Sequence, residues 1–273
     1  MISALWDNVR RNAPLVHNIT NYVTVNDCAN ILLACGASPI MADDAGEAAE
    51  ITSICGGLNI NIGTLNVRTI ESMELAGKRA NELSHPVLLD PVGAGASKLR
   101  TQTALDLLER IKFSVVRGNM SEIKTIVNGS GFTHGVDVSA ADAVTESNIA
   151  ECADFIKNAA KSLGCVVAVS GAIDLVSDGD TVYAVRNGCA LMGRITGSGC
   201  MLSALTAACI AANPDDIFHA VLTAVCAMGA AGEAAQSRMT AMDGNAGFRT
   251  YLIDAIYNMN GAKLETMAKY ECV

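Results

Sequence analysis

The chain has 273 residues, 51% of them apolar and 17% charged, which supplies a sizeable core and excludes a disordered polymer. That length suits one α/β domain over residues 1–273 rather than two large ones. A formal net charge of -9 argues against a nucleic-acid or acidic-membrane binder, so any phosphate must be held by local devices rather than a broad positive field.

The opening segment, Met1 to Asn8, lacks the basic start, apolar stretch and cleavage site of a secretion signal. No run of 18 or more apolar residues appears, so nothing is expected to span a bilayer and a cytoplasmic protein is expected. Strands are then expected over Leu15–Ile19, Ser38–Met41, Gly57–Ile62, Pro86–Asp90, Phe113–Arg117, Val166–Ser170, Asp174–Ser177 and Tyr183–Arg186. Between them the apolar spacing predicts helices over Val23–Cys35, Arg68–Leu83, Ala104–Ile111 and Glu146–Leu163. A run rich in Gly, Ser and Asp, Asn128 to Asp142, reads as a surface loop. After the last strand the chain turns helical over Met201–Ala212, Asp215–Glu233 and Phe248–Asn258. Alternating strands and helices predict an α/β fold with a mainly parallel central sheet and helices on both faces. The 10 cysteines form no CxxC pair and no zinc-spaced cluster. Cys28, Cys35, Cys209 and Cys226 lie in apolar surroundings and read as buried, reduced thiols.

Open parallel sheets place ligands at the carboxyl ends of their strands, and four segments there carry chemistry. Asn59-Ile60-Asn61-Ile62-Gly63-Thr64-Leu65 ends a strand on glycine, which suits either a ligand contact or an ordinary turn. Val87-Leu88-Leu89-Asp90-Pro91-Val92-Gly93-Ala94-Gly95 sets a carboxylate beside bare backbone amides, a setting for hydrated Mg²⁺ and phosphate oxygens, or for a structural turn. Val115-Val116-Arg117-Gly118-Asn119-Met120-Ser121-Glu122 opens from a strand into a helix. Arg117 there can fork onto phosphate, and Glu122 can serve the helix dipole. The sharpest is Arg194-Ile195-Thr196-Gly197-Ser198-Gly199-Cys200-Met201, where two glycines lead into a small-residue helix. Glycines let the backbone form an anion-binding nest, and the helix start adds free N–H groups, so phosphate needs no lysine. Tight helix packing is the competing reason for those glycines. The motif is neither a Walker A loop nor a dinucleotide fingerprint. In a first helical turn the Cys200 thiol is expected to have a lowered pKa.

Taken together these segments resemble the hydroxyethylthiazole kinases of thiamin biosynthesis and salvage, within the ribokinase-like superfamily. The resemblance runs across nearly the whole chain, from Pro14-Leu15-Val16-His17-Asn18-Ile19-Thr20-Asn21-Tyr22-Val23 and Gly36-Ala37-Ser38-Pro39-Ile40-Met41-Ala42 to Thr196-Gly197-Ser198-Gly199-Cys200. It implies transfer of the ATP γ-phosphoryl group to the hydroxyl of 4-methyl-5-(2-hydroxyethyl)thiazole. It also implies site roles. Arg117 and Ser170 would contact ATP, while Asp90 and Glu122 would act through Mg²⁺ and its waters, supported by Asn119. Gly197 to Cys200 would wrap the phosphoryl group and the substrate hydroxyl. Met41, Asn21, Val23 and Gly63 would line the thiazole pocket. A homotrimer with active sites between subunits is implied as well. Most superfamily relatives carry Asp where this chain has Cys200, and cysteine there is a trait of the thiazole kinases. Three rival readings stand beside this one: a related kinase for another small alcohol, a Cys200 nucleophile paired with a histidine, and a non-catalytic binder.

Overall fold

The computed structural model describes residues 1–129 and 143–273, so the expected loop from Asn128 to Asp142 lies outside the described residues beyond Gly129. In chain order the helices are α1 (Ile2–Asn12), α2 (Val25–Cys35), α3 (Ala48–Ile54), α4 (Val67–Glu82), α5 (Lys98–Arg110), α6 (Met120–Asn128), α7 (Ile149–Leu163), α8 (Ser198–Ala212), α9 (Ile217–Arg238), α10 (Asn245–Tyr257) and α11 (Gly261–Met267). The strands are β1 (Leu15–Ile19), β2 (Ser38–Ile40), β3 (Gly57–Asn61), β4 (Val87–Asp90), β5 (Val115–Asn119), β6 (Val166–Ser170), β7 (Asp174–Ser177), β8 (Val182–Val185) and β9 (Tyr270–Cys272). They form one sheet in the order β2-β1-β3-β4-β5-β6-β7-β8-β9. The first six strands run parallel, and β7, β8 and β9 continue antiparallel from β6.

Side chains alternate across the sheet with period two and so supply two cores. Leu88, Val115 and Ala168 pack with α1, α2, α8, α9 and α10 on one face. Val87, Leu89, Val116, Val167 and Val169 pack with α4, α5, α6 and α7 on the other. The same alternation puts Asn61, Asp90, Arg117 and Ser170 on the face covered by α8, each at or near the carboxyl end of its strand. Register completes the cluster, with Asn61 opposite Asp90 and Asn119 opposite Ser170.

Helix α8 comes close because it is built of small residues: Gly57 has no room for a Cβ, which would lie 2.9 Å from that of Ala211. Next to it, α9 is long and apolar enough to cross a bilayer, with 22 residues and a mean hydropathy of 1.5, yet 72% of its most apolar stretch is buried inside the fold. It is a core helix of the fold, packed on α8 and α10.

Several boundaries differ from the sequence expectation. Helix α5 begins at Lys98 rather than Ala104, because the Ser97 hydroxyl accepts a bond from the Arg100 amide and caps it. Strand β5 runs on to Asn119, since Gly118 and Asn119 pair with Val169 and Ser170. Helices α1, α3 and α11 and strand β9 were not anticipated.

Candidate active site

Four elements meet at the strand ends: the β1–α2 turn, the ends of β3 and β4, the β5–α6 junction and the start of α8. Gly197 at the head of α8 has φ 85°, a left-handed conformation that glycine adopts without strain, and no side chain caps the helix. Met201 N–H already bonds the Gly197 carbonyl at 2.8 Å, so the helix has begun by then. The first-turn amides before it point out of the helix start, as an anion site requires.

Beneath that start lies Arg117, 5% exposed. Its Nη1 donates to the Gly199 carbonyl at 3.0 Å and to Ser203 Oγ at 3.3 Å, and its Nη2 donates to Ser170 Oγ. Asp90 Oδ2 lies 3.7 Å from Nη1. The Asp90 carboxylate is 1% exposed and is presented asymmetrically. Oδ2 accepts from Asn61 Nδ2 at 2.7 Å and from Ser203 Oγ at 2.7 Å, whereas Oδ1 is buried with no partner among the described residues. Burial raises the Asp90 pKa against the pull of Arg117.

Asn119 and Glu122 form a reciprocal capping box at the start of α6: Glu122 N–H donates to Asn119 Oδ1 and Asn119 N–H to Glu122 Oε2, both at 2.8 Å. Gly93 N–H donates to the other Glu122 oxygen at 2.8 Å. Burial, reinforced by the nearby Asp90 charge, pushes Glu122 up to about 7. The helix-cap role of Glu122 is therefore real, and the cap also brings its carboxylate within electrostatic reach of Asp90.

Cys200 is 9% exposed, and its Sγ accepts from Asn21 Nδ2 at 3.2 Å and Asn61 Nδ2 at 3.3 Å. Its thiol pKa is raised, not lowered as its helical position suggested, because burial and the Asp90 charge outweigh the amide donors. No described histidine serves it. His17 spends its ring nitrogens on Thr52 Oγ1 and the Ala42 carbonyl, His219 pairs with Asp216, and His85 sits just before β4 at the amino-terminal end of the sheet. The nucleophile reading thus lacks its base among the described residues, while His134 lies outside them. Gly63 abuts Asn21, whose Cβ would be 3.0 Å from one added to the glycine. Met41 packs partly buried against the same core as Cys200, and Val23 is 55% exposed beside Asn21.

A cavity of about 560 Å³ opens beside Arg117, lined by Ser170, Asp174, Gly199, Asn187 and Met228 among others. It continues from the α8 start along α9, and its volume suits a nucleotide. Among the described residues no three His, Cys, Asp or Glu side chains form a protein-only metal cage. Mg²⁺ does not need one, since it is commonly held by one or two carboxylates, waters and substrate phosphates. The bare Asp90 Oδ1 beside Glu122 fits that pattern. Sequence reasoning did not single out Asn61, Ser203 or Thr24 for this site. Strand register and the turn of α8 bring the first two onto Asp90, and neither signal exists before the sheet order is known.

A mainly parallel sheet covered by helices, with polar strand ends beneath a glycine-led helix, is an arrangement of the ribokinase-like class of fold. Pyridoxal kinase from Staphylococcus aureus in complex with pyridoxal shares this fold at TM-score 0.60 and 16% identity, covering 95% of this chain and 97% of that one. The model of the "Hydroxyethylthiazole kinase family" matches residues 6–261. Hydroxyethylthiazole kinase of Clostridium acetobutylicum is 59% identical over 271 residues, 99% of each chain, and that of Clostridium beijerinckii is 52% identical, covering 98% of this chain and 96% of its own. The structure of the hydroxyethylthiazole kinase from Pyrococcus horikoshii superimposes with TM-score 0.88 at 39% identity, covering 100% of this chain and 98% of that one. The chain belongs to the hydroxyethylthiazole kinase family.

Proposed function

We propose that this protein transfers the γ-phosphoryl group of ATP to the hydroxyl of 4-methyl-5-(2-hydroxyethyl)thiazole, in thiamin biosynthesis or salvage. The observation that carries the reading is the uncapped start of α8 at Gly197, set between Arg117, the bare oxygen of Asp90 and Cys200. ATP occupies the cavity beside Arg117 and Ser170, with its terminal phosphate at the amides of Ser198 to Cys200. Asp90 Oδ1, with Glu122 beside it and Asn119 holding the α6 start, forms the seat for hydrated Mg²⁺. When bound there, the cation neutralises phosphate charge. Phosphoryl transfer proceeds through a loose transition state, so positioning and charge stabilisation dominate over early deprotonation of the alcohol. The amide nest supplies donors already aimed where charge develops. Cys200, a neutral thiol given its raised pKa, orients the hydroxyl, whose proton leaves to a phosphoryl oxygen or to water as the new bond to phosphorus completes.

The thiazole ring lies against Asn21, Gly63, Met41 and Val23. Val23 and its neighbour Tyr22 are 55% and 77% exposed, and the family resemblance implies a homotrimer with shared sites. All ten cysteines are free thiols, which suits a cytoplasmic enzyme. The test is to mix protein, Mg²⁺, ATP and a panel of small alcohols and to identify products by mass. The thiazole monophosphate should dominate. Preferential phosphorylation of another alcohol, or no ester at all, would overturn the assignment.

A further inference from the structure

The hydrogen bonds of the site converge on one side chain, Asn61, which is 1% exposed and has all its amide capacity spent inside the cluster. Its Nδ2 donates to Asp90 Oδ2 at 2.7 Å and to Cys200 Sγ at 3.3 Å. Its Oδ1 accepts from Asn21 Nδ2 at 3.0 Å and from the Gly63 amide at 3.0 Å. A neutral amide is the group this place requires. A carboxylate would offer no donor to either Asp90 or Cys200 and would add a third buried acid, while an apolar residue would strip donors from a buried charge.

Asp90 and Cys200 come from distant parts of the chain, a strand end and a helix start, and Asn61 is a single residue bonded to both. With Asn61, Ser203 and Arg117 all facing Oδ2, the buried Oδ1 of Asp90 is left without a partner among the described residues. We propose that Asn61 is a positioning residue that fixes the Asp90 carboxylate and the Cys200 thiol in one rigid geometry, presenting Asp90 Oδ1 and Cys200 Sγ together to the reacting alcohol and phosphoryl group. This inference rests on the kinase reading above for its catalytic half; its cation half stands on Asp90 alone.

The experiment is a double-mutant cycle of Asn61→Ala and Cys200→Ala, read as kcat at saturating Mg²⁺, ATP and thiazole alcohol, together with Mn²⁺ titration of the nucleotide-free proteins. Asn61→Ala is expected to lower kcat by about 10- to 100-fold in the parent, the scale of a misplaced reacting group. Added to Cys200→Ala it should cost less than about threefold more, because the residue it positions is already gone. Mn²⁺ affinity should fall several-fold in Asn61→Ala whether or not Cys200 is present, an effect that excess Mg²⁺ masks in the kcat measurement. Should Asn61→Ala fail to fold, Asn61→Ser, which keeps one donor, takes its place in the cycle. Losses in kcat that simply multiply, or Mn²⁺ binding unchanged by the Asn61 substitution, would overturn the proposal. A parent protein that makes no thiazole phosphate would instead defeat the kinase reading, leaving the Mn²⁺ comparison to decide the role of Asn61 toward Asp90.

Discussion

Arg117 and Gly199 touch directly: Nη1 donates to the Gly199 carbonyl at 3.0 Å, and a Cβ on Gly199 would lie 3.1 Å from the same nitrogen. The guanidinium thus braces the first turn of α8 from below, while the same Nη1 lies 3.7 Å from Asp90 Oδ2 and Nη2 donates to Ser170. Removing it by Arg117→Ala strands a buried carboxylate. The expected cost is about 3–5 kcal/mol, seen as a fall in Tm, with a raised KM for ATP. Arg117→Lys should also fail to restore KM, because an ammonium has no fork. Gly199→Ala has the opposite balance: alanine favours the helix, yet the guanidinium must yield a few tenths of an ångström. Its Tm should hold while KM for ATP rises. An unchanged Tm in Arg117→Ala would refute the bracing role.

Gly197→Ala probes the bend itself. A Cβ there would sit 2.5 Å from Thr24 Cγ2, on a backbone with φ 85°. Stability should fall by about 1–3 kcal/mol. Because the bend aims the nest amides, kcat should fall by about 10²-fold as well. Thr24→Ser, which removes that methyl, should recover part of the stability when combined with it. A calorimetric scan and steady-state kinetics on the same preparation distinguish the two effects.

Cys200→Ala should slow turnover by about 10- to 10³-fold without abolishing it, the scale of a misplaced reacting hydroxyl. Cys200→Asp should remain active, since the Asn21 and Asn61 amides already donate toward that position and would serve a carboxylate equally. Complete loss in the alanine variant would make the thiol indispensable, and a folded, ATP-binding but inactive aspartate variant would contradict the hydroxyl-positioning role.

Much of this was legible beforehand, for physical reasons. Strands β1, β6 and β7 follow from short apolar runs bounded by polar residues, and the α8 start from Gly197-Ser198-Gly199. Asp90, Arg117 and Glu122 announce themselves as charges at the ends of apolar strands or just past them. What escaped depends on partners distant in sequence. Strand β9 is a three-residue edge whose only warrant is pairing with β8. Helix α11 buries little beyond Gly261 and Leu264. Asn61 and Ser203 look like ordinary polar residues until register and helix rotation set them on Asp90. Helix α1 is the exception, since Ile2, Trp6 and Val9 spell a buried stripe that was there to be read.

The raised pKa of Glu122 makes stability depend on pH and, with the proposed Mg²⁺ seat, on the cation. The group titrates near 7 in the folded protein against 4.5 ordinarily, so between those values the folded state holds more proton. Its contribution is complete below about pH 4.5 and is lost as pH rises through about 7, up to about 3 kcal/mol. A divalent cation favours the carboxylate and should return that stability. The Tm of the metal-free protein, measured against a Glu122→Gln variant, should therefore drop relative to the variant between about pH 5 and pH 8. The Mg²⁺-induced gain should grow over the same interval, and a pH-independent difference would contradict the assignment.

The most direct measurement is a crystal structure with Mg²⁺ and a non-hydrolysable ATP analogue. The terminal phosphate oxygens should lie about 3 Å from the backbone nitrogens of Ser198, Gly199 and Cys200, with Asp90 Oδ1 facing the cation. A terminal phosphate held instead by lysine or arginine side chains, with the Gly197 bend closed off by packed residues, would contradict the account.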